Sequence, residues 1–418
     1  GKSSVFKIIY KLKNVIDTPS LEGVGRDGQS VVVYIGAGEA GGQYHEISAT
    51  GALSEPLDTS KTLSSSPLFH PTTNRLAGFS YHDDWVVYDY FDPVLKKMAD
   101  ALPDTMGTDY RFRIEDFAED PRKMIVYGES PNDAGSYYFI DFSTGDMISI
   151  ASNYTIPEAW ITQKKRISYK AADGLEIPAY LTLPPNREAR NLPLVVLPHG
   201  GPWARDYINF DWQTQALASR GYAVLQPNYR GSTGYGDKFL NAGQGEFGRK
   251  MQTDLSDGVR ELTRRGLVDP KRVAILGASY GGYAAMAGAT LDPGIYRCAI
   301  AIAGVSDPKS FIDFLTENFN NRDAAPIVHW QEVLGAKKYD EISPAKQAAR
   351  ASCPVLLLHG TDDTVVPISQ SQRMEKALKA AGKPVEFITY KGQTHWEDIG
   401  SLRIQMMNAA MDFLTKYN

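Results

Sequence analysis

Beyond about Lys165 the chain alternates short, uniformly apolar runs with longer amphipathic stretches, and few folds accept that alternation. The apolar runs are Leu194–Leu197, Tyr222–Gln226, Val273–Leu276, Cys298–Ala303, Val355–His359 and Val385–Tyr390. Helical spacing fills the gaps, as in Met251–Arg265, Gln370–Ala381 and Ile399–Lys416. A strand that is apolar on both sides must be covered on both sides. Parallel neighbours also need crossover connections, which the helices supply. The pattern therefore predicts a mostly parallel α/β sheet with helices on both faces. A hairpin across Ala172-Asp173-Gly174, joining Arg166–Tyr169 to Glu176–Leu183, is expected to precede it. Sheets of this kind carry their chemistry at the carboxyl ends of the strands.

The residues before this point follow a different rule. Short β-like runs, Ser30–Ile35, Arg75–Ser80, Lys123–Tyr127 and Ser136–Phe142, are separated by turn pairs such as Thr50-Gly51 and Thr144-Gly145. One helix, Pro93–Ala101, interrupts them. Tyr44-His45-Glu46-Ile47 ahead of Thr50-Gly51 is echoed by Tyr137-Tyr138-Phe139-Ile140 ahead of Thr144-Gly145. Their offset equals about two propeller blades of ~45 residues. Residues 1–162 are thus expected to form a partial β-propeller-like region of about three blades, and 163–418 an α/β catalytic domain.

The 418 residues suffice for two domains. A formal net charge of -5 argues against a nucleic-acid partner, which normally meets a basic face. No apolar run approaches the roughly 18 residues of a membrane span. Cys298 and Cys353 each precede an apolar run and are expected to be buried free thiols, a disulfide being the alternative. That leaves a soluble protein of cytoplasm or periplasm undecided. The start at Gly1 instead of Met suggests an incomplete N-terminus. The histidines are scattered, without H-E-x-x-H or paired-cysteine spacing, so no metal is expected. Gly231-Ser232-Thr233-Gly234-Tyr235-Gly236 has the glycines of a phosphate loop but not its G-K-[ST] ending. It reads as structural, and no cofactor is expected.

Gly277-Ala278-Ser279-Tyr280-Gly281 is a G-x-S-x-G sequence lying between the run Val273–Leu276 and a helix-like Gly282–Thr290. A sharp strand-to-helix turn of this kind displays a serine above a sheet, at a helix N-terminus that favours developing negative charge. A serine hydroxyl needs a base, and on such sheets the acid and then the histidine follow the nucleophile in the chain. His329, His359 and His395 follow Ser279. His359 ends a strand run and is followed by two candidate acids, Asp362 and Asp363; His395 is the histidine after them. The backbone N–H of Tyr280, with that of Gly201 in His199-Gly200-Gly201-Pro202-Trp203, would form an oxyanion hole. Trp203, Tyr229, Val365 and Trp396 are candidates to line a substrate pocket, with core packing as the alternative for the aromatics.

These stretches together resemble the catalytic domain of the prolyl oligopeptidase family of serine peptidases, above all its dipeptidyl-aminopeptidase and acylaminoacyl-peptidase branch. The resemblance runs from about Lys165 to Asn418 and rests on His199-Gly200-Gly201-Pro202, Asn228-Tyr229-Arg230-Gly231-Ser232-Thr233-Gly234-Tyr235-Gly236, Gly277–Tyr283, His359-Gly360 with Asp363 and Val366-Pro367, and His395. It implies an α/β-hydrolase fold behind a propeller region. It further implies Ser279 as nucleophile, His395 as base, Asp363 as the acid, and Tyr280 and Gly201 as oxyanion donors. The substrates implied are short peptides or acyl-peptides. Two departures matter. Val365 stands where many members carry an Arg or Asn that grips the peptide, and the propeller region is too short to be complete. An esterase acting on short-chain esters is the alternative enzyme. A non-catalytic propeller binding protein is the alternative outside enzymes. Exposed blade edges would permit a homo-oligomer.

Overall fold

The computed structural model describes residues 8–11, 19–35, 42–57, 64–131, 133–319, 325–335 and 339–418. The chain divides into two compact units, Gly1–Glu158 with Gly234–Asp237, and Ala159–Thr233 with Lys238–Asn418.

The first unit contains three antiparallel meanders. β1 (Ser20–Val24), β2 (Val31–Ile35) and β3 (Gln43–Ile47) form one; β4 (Ser64–Phe69), β5 (Leu76–His82) and β6 (Val86–Tyr90) the second. The third has four strands, β7 (Arg111–Phe117), β8 (Lys123–Ser130), β9 (Asp133–Asp141) and β10 (Asp146–Ser152). The two echoing tyrosine segments lie on β3 and β9, the third strand of the first and third meanders. Between the second and third runs α1 (Pro93–Met106). Its start is fixed by the Asp92 carboxylate, which accepts the N–H groups of Val94 and Leu95, and by Pro93 in the first turn.

α1 extends beyond the expected Ala101, straight through Pro103. An internal proline costs about 3 kcal/mol. The apolar stripe nevertheless continues, burying Leu102 and Met106 against Met124, Val126 and Ile140. Each such side chain contributes about 1.5–3 kcal/mol, which offsets the proline.

The second unit is built on one sheet of eight strands: β11 (Lys164–Lys170), β12 (Glu176–Thr182), β13 (Leu192–Val196), β14 (Ala223–Pro227), β15 (Val268–Ala278), β16 (Cys298–Ile302), β17 (Val355–Gly360) and β18 (Val385–Tyr390). Their spatial order is β11-β12-β14-β13-β15-β16-β17-β18. β11, β12 and β14 pair antiparallel, and every later pairing is parallel. This is the mostly parallel sheet that the apolar runs predicted, in the α/β-hydrolase arrangement that the resemblance implied. The helices are α2 (Trp212–Ser219), α3 (Asp237–Asn241), α4 (Lys250–Arg264), α5 (Tyr280–Thr290), α6 (Pro308–Phe319), α7 (Ala325–Leu334), α8 (Ser369–Ala380) and α9 (Gly400–Tyr417). Val195, Val224, Leu276, Ile300 and Leu358 from the strands join Met406, Phe413 and Leu414 of α9 in one buried core. Cys298 and Cys353 are buried and free, and burial pushes each thiol up to about 12. Among the described residues no helix is long and apolar enough to cross a membrane.

A buried charge cluster ties three segments beside this sheet. Arg230 donates Nε and Nη2 to the two carboxylate oxygens of Asp254 on α4, at 2.8 and 2.7 Å. It donates Nη1 and Nη2 to Asp173 in the β11–β12 turn, at 2.8 and 3.0 Å. Asp254 is fully buried, whereas Asp173 keeps 38% of its side chain exposed. Removing one partner of a buried pair strands the other charge. D254A should therefore cost about 3–5 kcal/mol in urea unfolding, and D173A about 1 kcal/mol or less.

Candidate active site

β15 ends at Ala278 and α5 begins at Tyr280, so Ser279 must reverse the chain alone. It does so at φ 58° and ψ -117°, a conformation that L residues other than glycine rarely adopt. The surrounding backbone enforces it. A β-carbon on Gly277 would meet the carbonyl of Gly281 at 2.5 Å, and one on Gly281 would meet the Pro198 oxygen at 2.3 Å. Both positions must be glycine for strand, helix and the loop after β13 to approach this closely. The N–H of Tyr280 is the first of α5 and has no acceptor within its own helix.

The loop after β13 comes up to the serine, for a β-carbon on Gly200 would lie 3.6 Å from Cβ of Ser279. Gly201 follows at φ 116°. The His199 ring stacks on Tyr229 with centroids 4.3 Å apart, and the Tyr229 hydroxyl donates to the His199 carbonyl at 3.0 Å. Tyr229 is completely buried. It underpins the loop, which corrects the expectation that it lines a pocket. Trp203 packs edge-on to Trp330 at 5.1 Å. Val365 and Trp396 are open to solvent, at 39% and 77% exposure.

Asp363 follows β17, His395 follows β18, and both strands run parallel to β15. All three loops thus leave the same edge of the sheet. The Nδ1 of His395 lies 2.7 Å from Oδ2 of Asp363. Oδ1 of Asp363 accepts the N–H groups of Val365 and Val366, each at 2.9 Å. A second imidazole, of the fully buried His359, brings Nε2 to 3.4 Å from Oδ2. Burial alone would raise the Asp363 carboxyl, but the hydrogen bonds from His359, His395 and Val366 hold it well below the usual carboxylate range. The neighbouring Asp362 is exposed and accepts from the Thr361 hydroxyl at 2.7 Å. It is Asp363, not Asp362, that lies against the imidazole.

The structure brings Asp363 to His395, and Ser279 to the Gly200 loop. No hydrogen bond joins the Ser279 hydroxyl to the His395 ring among the described residues. In hydrolases without substrate this contact is often long. Three supporting groups carried no signal strong enough to find in the sequence. His359 was readable as a strand end, yet not as a second imidazole beside Asp363, its Nε2 lying 2.9 Å from the Val366 carbonyl and 3.4 Å from Oδ2. Asp398 accepts from Gln393 Nε2 and Thr394 Oγ1, at 3.1 and 3.0 Å, and closes the loop that carries His395. Ser371 on α8 lies 2.7 Å from Nδ1 of His359.

Comparison with known proteins adds a family. The prolyl oligopeptidase family profile matches residues 208–418. The dipeptidyl aminopeptidase BIII of Pseudoxanthomonas mexicana is 32% identical over 343 residues, covering 78% of this chain and 49% of that protein. The acylamino-acid-releasing enzyme of Rattus norvegicus is 30% identical over 232 residues, covering 53% of this chain and 31% of that one. Among solved structures, a puromycin-hydrolyzing peptidase of Mycobacterium tuberculosis superposes with a TM-score of 0.77 at 24% identity, over 96% of this chain and 62% of its own. The Pyrococcus horikoshii acylaminoacyl peptidase gives 0.70 at 21% identity, over 94% and 62%. These two structural matches speak for the fold. The chain spans 49% and 31% of the length of the two curated relatives.

The depressed Asp363 carboxyl has a measurable sign. A group whose pKa is lower folded than unfolded adds stability above its unfolded value, near 4, and loses it as the pH falls toward the folded value. The stability advantage of the wild type over D363N should be full and level above about pH 4 and shrink below it. Urea midpoints measured across that range test this.

Proposed function

Because this chain belongs to the prolyl oligopeptidase family, we propose that it is a serine peptidase that cleaves short peptides through an acyl-enzyme on Ser279, with His395 as base and Asp363 as orienting acid. The observation that carries this reading is the 2.7 Å contact between His395 Nδ1 and Asp363 Oδ2, on the sheet edge from which Ser279 projects. With Nδ1 committed to the carboxylate, Nε2 is the nitrogen left to take the serine proton.

Attack of Oγ on the substrate carbonyl forms a tetrahedral oxyanion. The N–H groups of Tyr280 and Gly201 stabilise it, each donor contributing about 2.7–4 kcal/mol in comparable sites. Asp363 stabilises the imidazolium that forms. The imidazolium then returns the proton to the leaving amine, which amides need more than esters do. Water, activated by the same ring, releases the acyl group. The names of the similar enzymes, a dipeptidyl aminopeptidase and an acylamino-acid-releasing enzyme, favour substrates cut near an amino terminus, free or acylated. Val365 offers no charged or amide group for a peptide, so anchoring falls to other residues.

S279A should abolish both hydrolysis of an aminoacyl anilide and labelling by a fluorophosphonate, with the circular dichroism spectrum unchanged. D363N should lower kcat on the order of 10⁴-fold. Turnover surviving in S279A would defeat the assignment. Parallel rates on a short nitrophenyl ester measure how far the site favours amides.

A further inference from the structure

The loop that carries Gly201 continues into Asp206, and there the carboxyl of a half-buried aspartate faces a buried carboxamide. Gln226, near the end of β14, is 1% exposed. Its Nε2 donates to Oδ1 of Asp206 at 3.1 Å. The remaining oxygens of the two groups, Oδ2 of Asp206 and Oε1 of Gln226, are both shut away from solvent, and neither has a hydrogen-bond partner. An ionised carboxylate has no hydrogen to give, so both oxygens would stay unmatched acceptors, each a desolvation cost. Turning the carboxamide over does not help, since it would set its oxygen against Oδ1. One proton on Oδ2 would satisfy both oxygens at once, Oδ2–H donating to Oε1 while Nε2–H donates to Oδ1 in a closed acid–amide ring.

We infer that Asp206 is a protonated acid below neutral pH and, in that state, pins the oxyanion loop to β14 through a closed ring with the Gln226 carboxamide. The backbone agrees with an anchoring role. The side chain of Asn228, two residues beyond Gln226, grips both sides of Asp206: Oδ1 accepts its N–H at 2.7 Å and Nδ2 donates to its carbonyl at 3.1 Å. One residue further, Lys164 Nζ donates to the Tyr207 carbonyl at 2.9 Å. The loop is thus fastened five residues beyond Gly201, and Asp206 is a positioning residue for that N–H. The significance for catalysis rests on the function proposed above; the proton itself does not.

The charges around the group leave room for this state. Lys164 from β11 and Arg205 from the loop itself favour ionisation, and Asp211 at the start of α2 opposes it; the titratable ring coupled to Asp206 is the buried Tyr229, while Tyr180 of β12 and Tyr207 lie against Lys164 and Arg205. Burial outweighs the two cations and pushes the Asp206 carboxyl up to about 7. The sign for stability is the reverse of that at Asp363. The folded value lies above the unfolded one, so the contribution is full below about pH 4, is lost as the pH rises towards 7, and is level beyond.

The test uses the full chain with D206N, D206A and Q226L. In D206N an amide N–H takes the place of the acid O–H, so the ring survives without a titrating proton. Infrared difference spectra of wild type against D206N should show a protonated-carboxyl C=O band at pH 6 that fades as the pH is raised through neutrality. The urea stability of the wild type relative to D206N should fall between about pH 4 and 7 and then level. Fluorophosphonate labelling of Ser279 should slow on the order of 10–100-fold in D206A and Q226L, through displacement of the oxyanion donor, and return to the wild-type rate in D206N. Absence of the band at pH 6, or a stability difference flat over pH 4 to 7, would show an ionised Asp206 paired with its cations and overturn the inference. Wild-type protein that fails to label at all would defeat the proposed function instead, with the infrared and stability measurements still reporting the proton.

Discussion

Ser279 is held at φ 58° by backbone that leaves no space for a β-carbon two residues to either side, at Gly277 and Gly281. The end of β15, the start of α5 and the loop after β13 all pass within van der Waals range of one another there. Everything proposed for the site depends on that crossing. It aims the hydroxyl out of the sheet edge, presents the first free N–H groups of α5, and sets the loop bearing Gly201 beside them. Strain at a single residue of this kind persists only where the surroundings over-determine it. Here they include the hydrogen bond from Ser279 N to the Ile302 carbonyl, at 2.9 Å, and a sheet whose central strands are wholly buried.

Support is layered outward from this point. The His199 loop stands on Tyr229, and Tyr229 precedes Arg230, whose guanidinium is forked onto Asp254 and Asp173. Asn228, one residue earlier still, holds Asp206. Three consecutive residues after β14 therefore each fasten a different part of the scaffold. On the other side of the serine, Asp398 closes the His395 loop upon itself and Ser371 reaches His359 from α8.

Much of this was legible in the residues and some was not. The six apolar runs marked six of the sheet's strands; for the inner five this is because a strand covered on both faces cannot alternate, whereas β18 at the edge keeps part of its surface exposed. The G-x-S-x-G turn was legible because its glycines answer a steric demand that no other residue meets. The end of α1 was not, since the rule against internal proline is local and the burial of Leu102 and Met106 is tertiary. Asp362 and Asp363 could not be told apart by position alone; adjacent residues point different ways, and only the fold decides which meets the imidazole. Tyr229 looked like a pocket aromatic because a sequence shows that a ring is near the site but not which side of the backbone it occupies. The pairing of Asp206 with Gln226 joins residues 20 apart and has no pattern at all.

Asp363 can be considered as an acceptor with finite capacity. A carboxylate offers about four lone-pair directions. Val365 and Val366 occupy those of Oδ1, while His395 and His359 converge on Oδ2. Three hydrogen bonds and a fourth polar neighbour hold the anion where it stands. The charge beside His395 is thereby fixed in place and in valence, so a proton that the ring takes up on its far nitrogen is not passed on to the carboxylate.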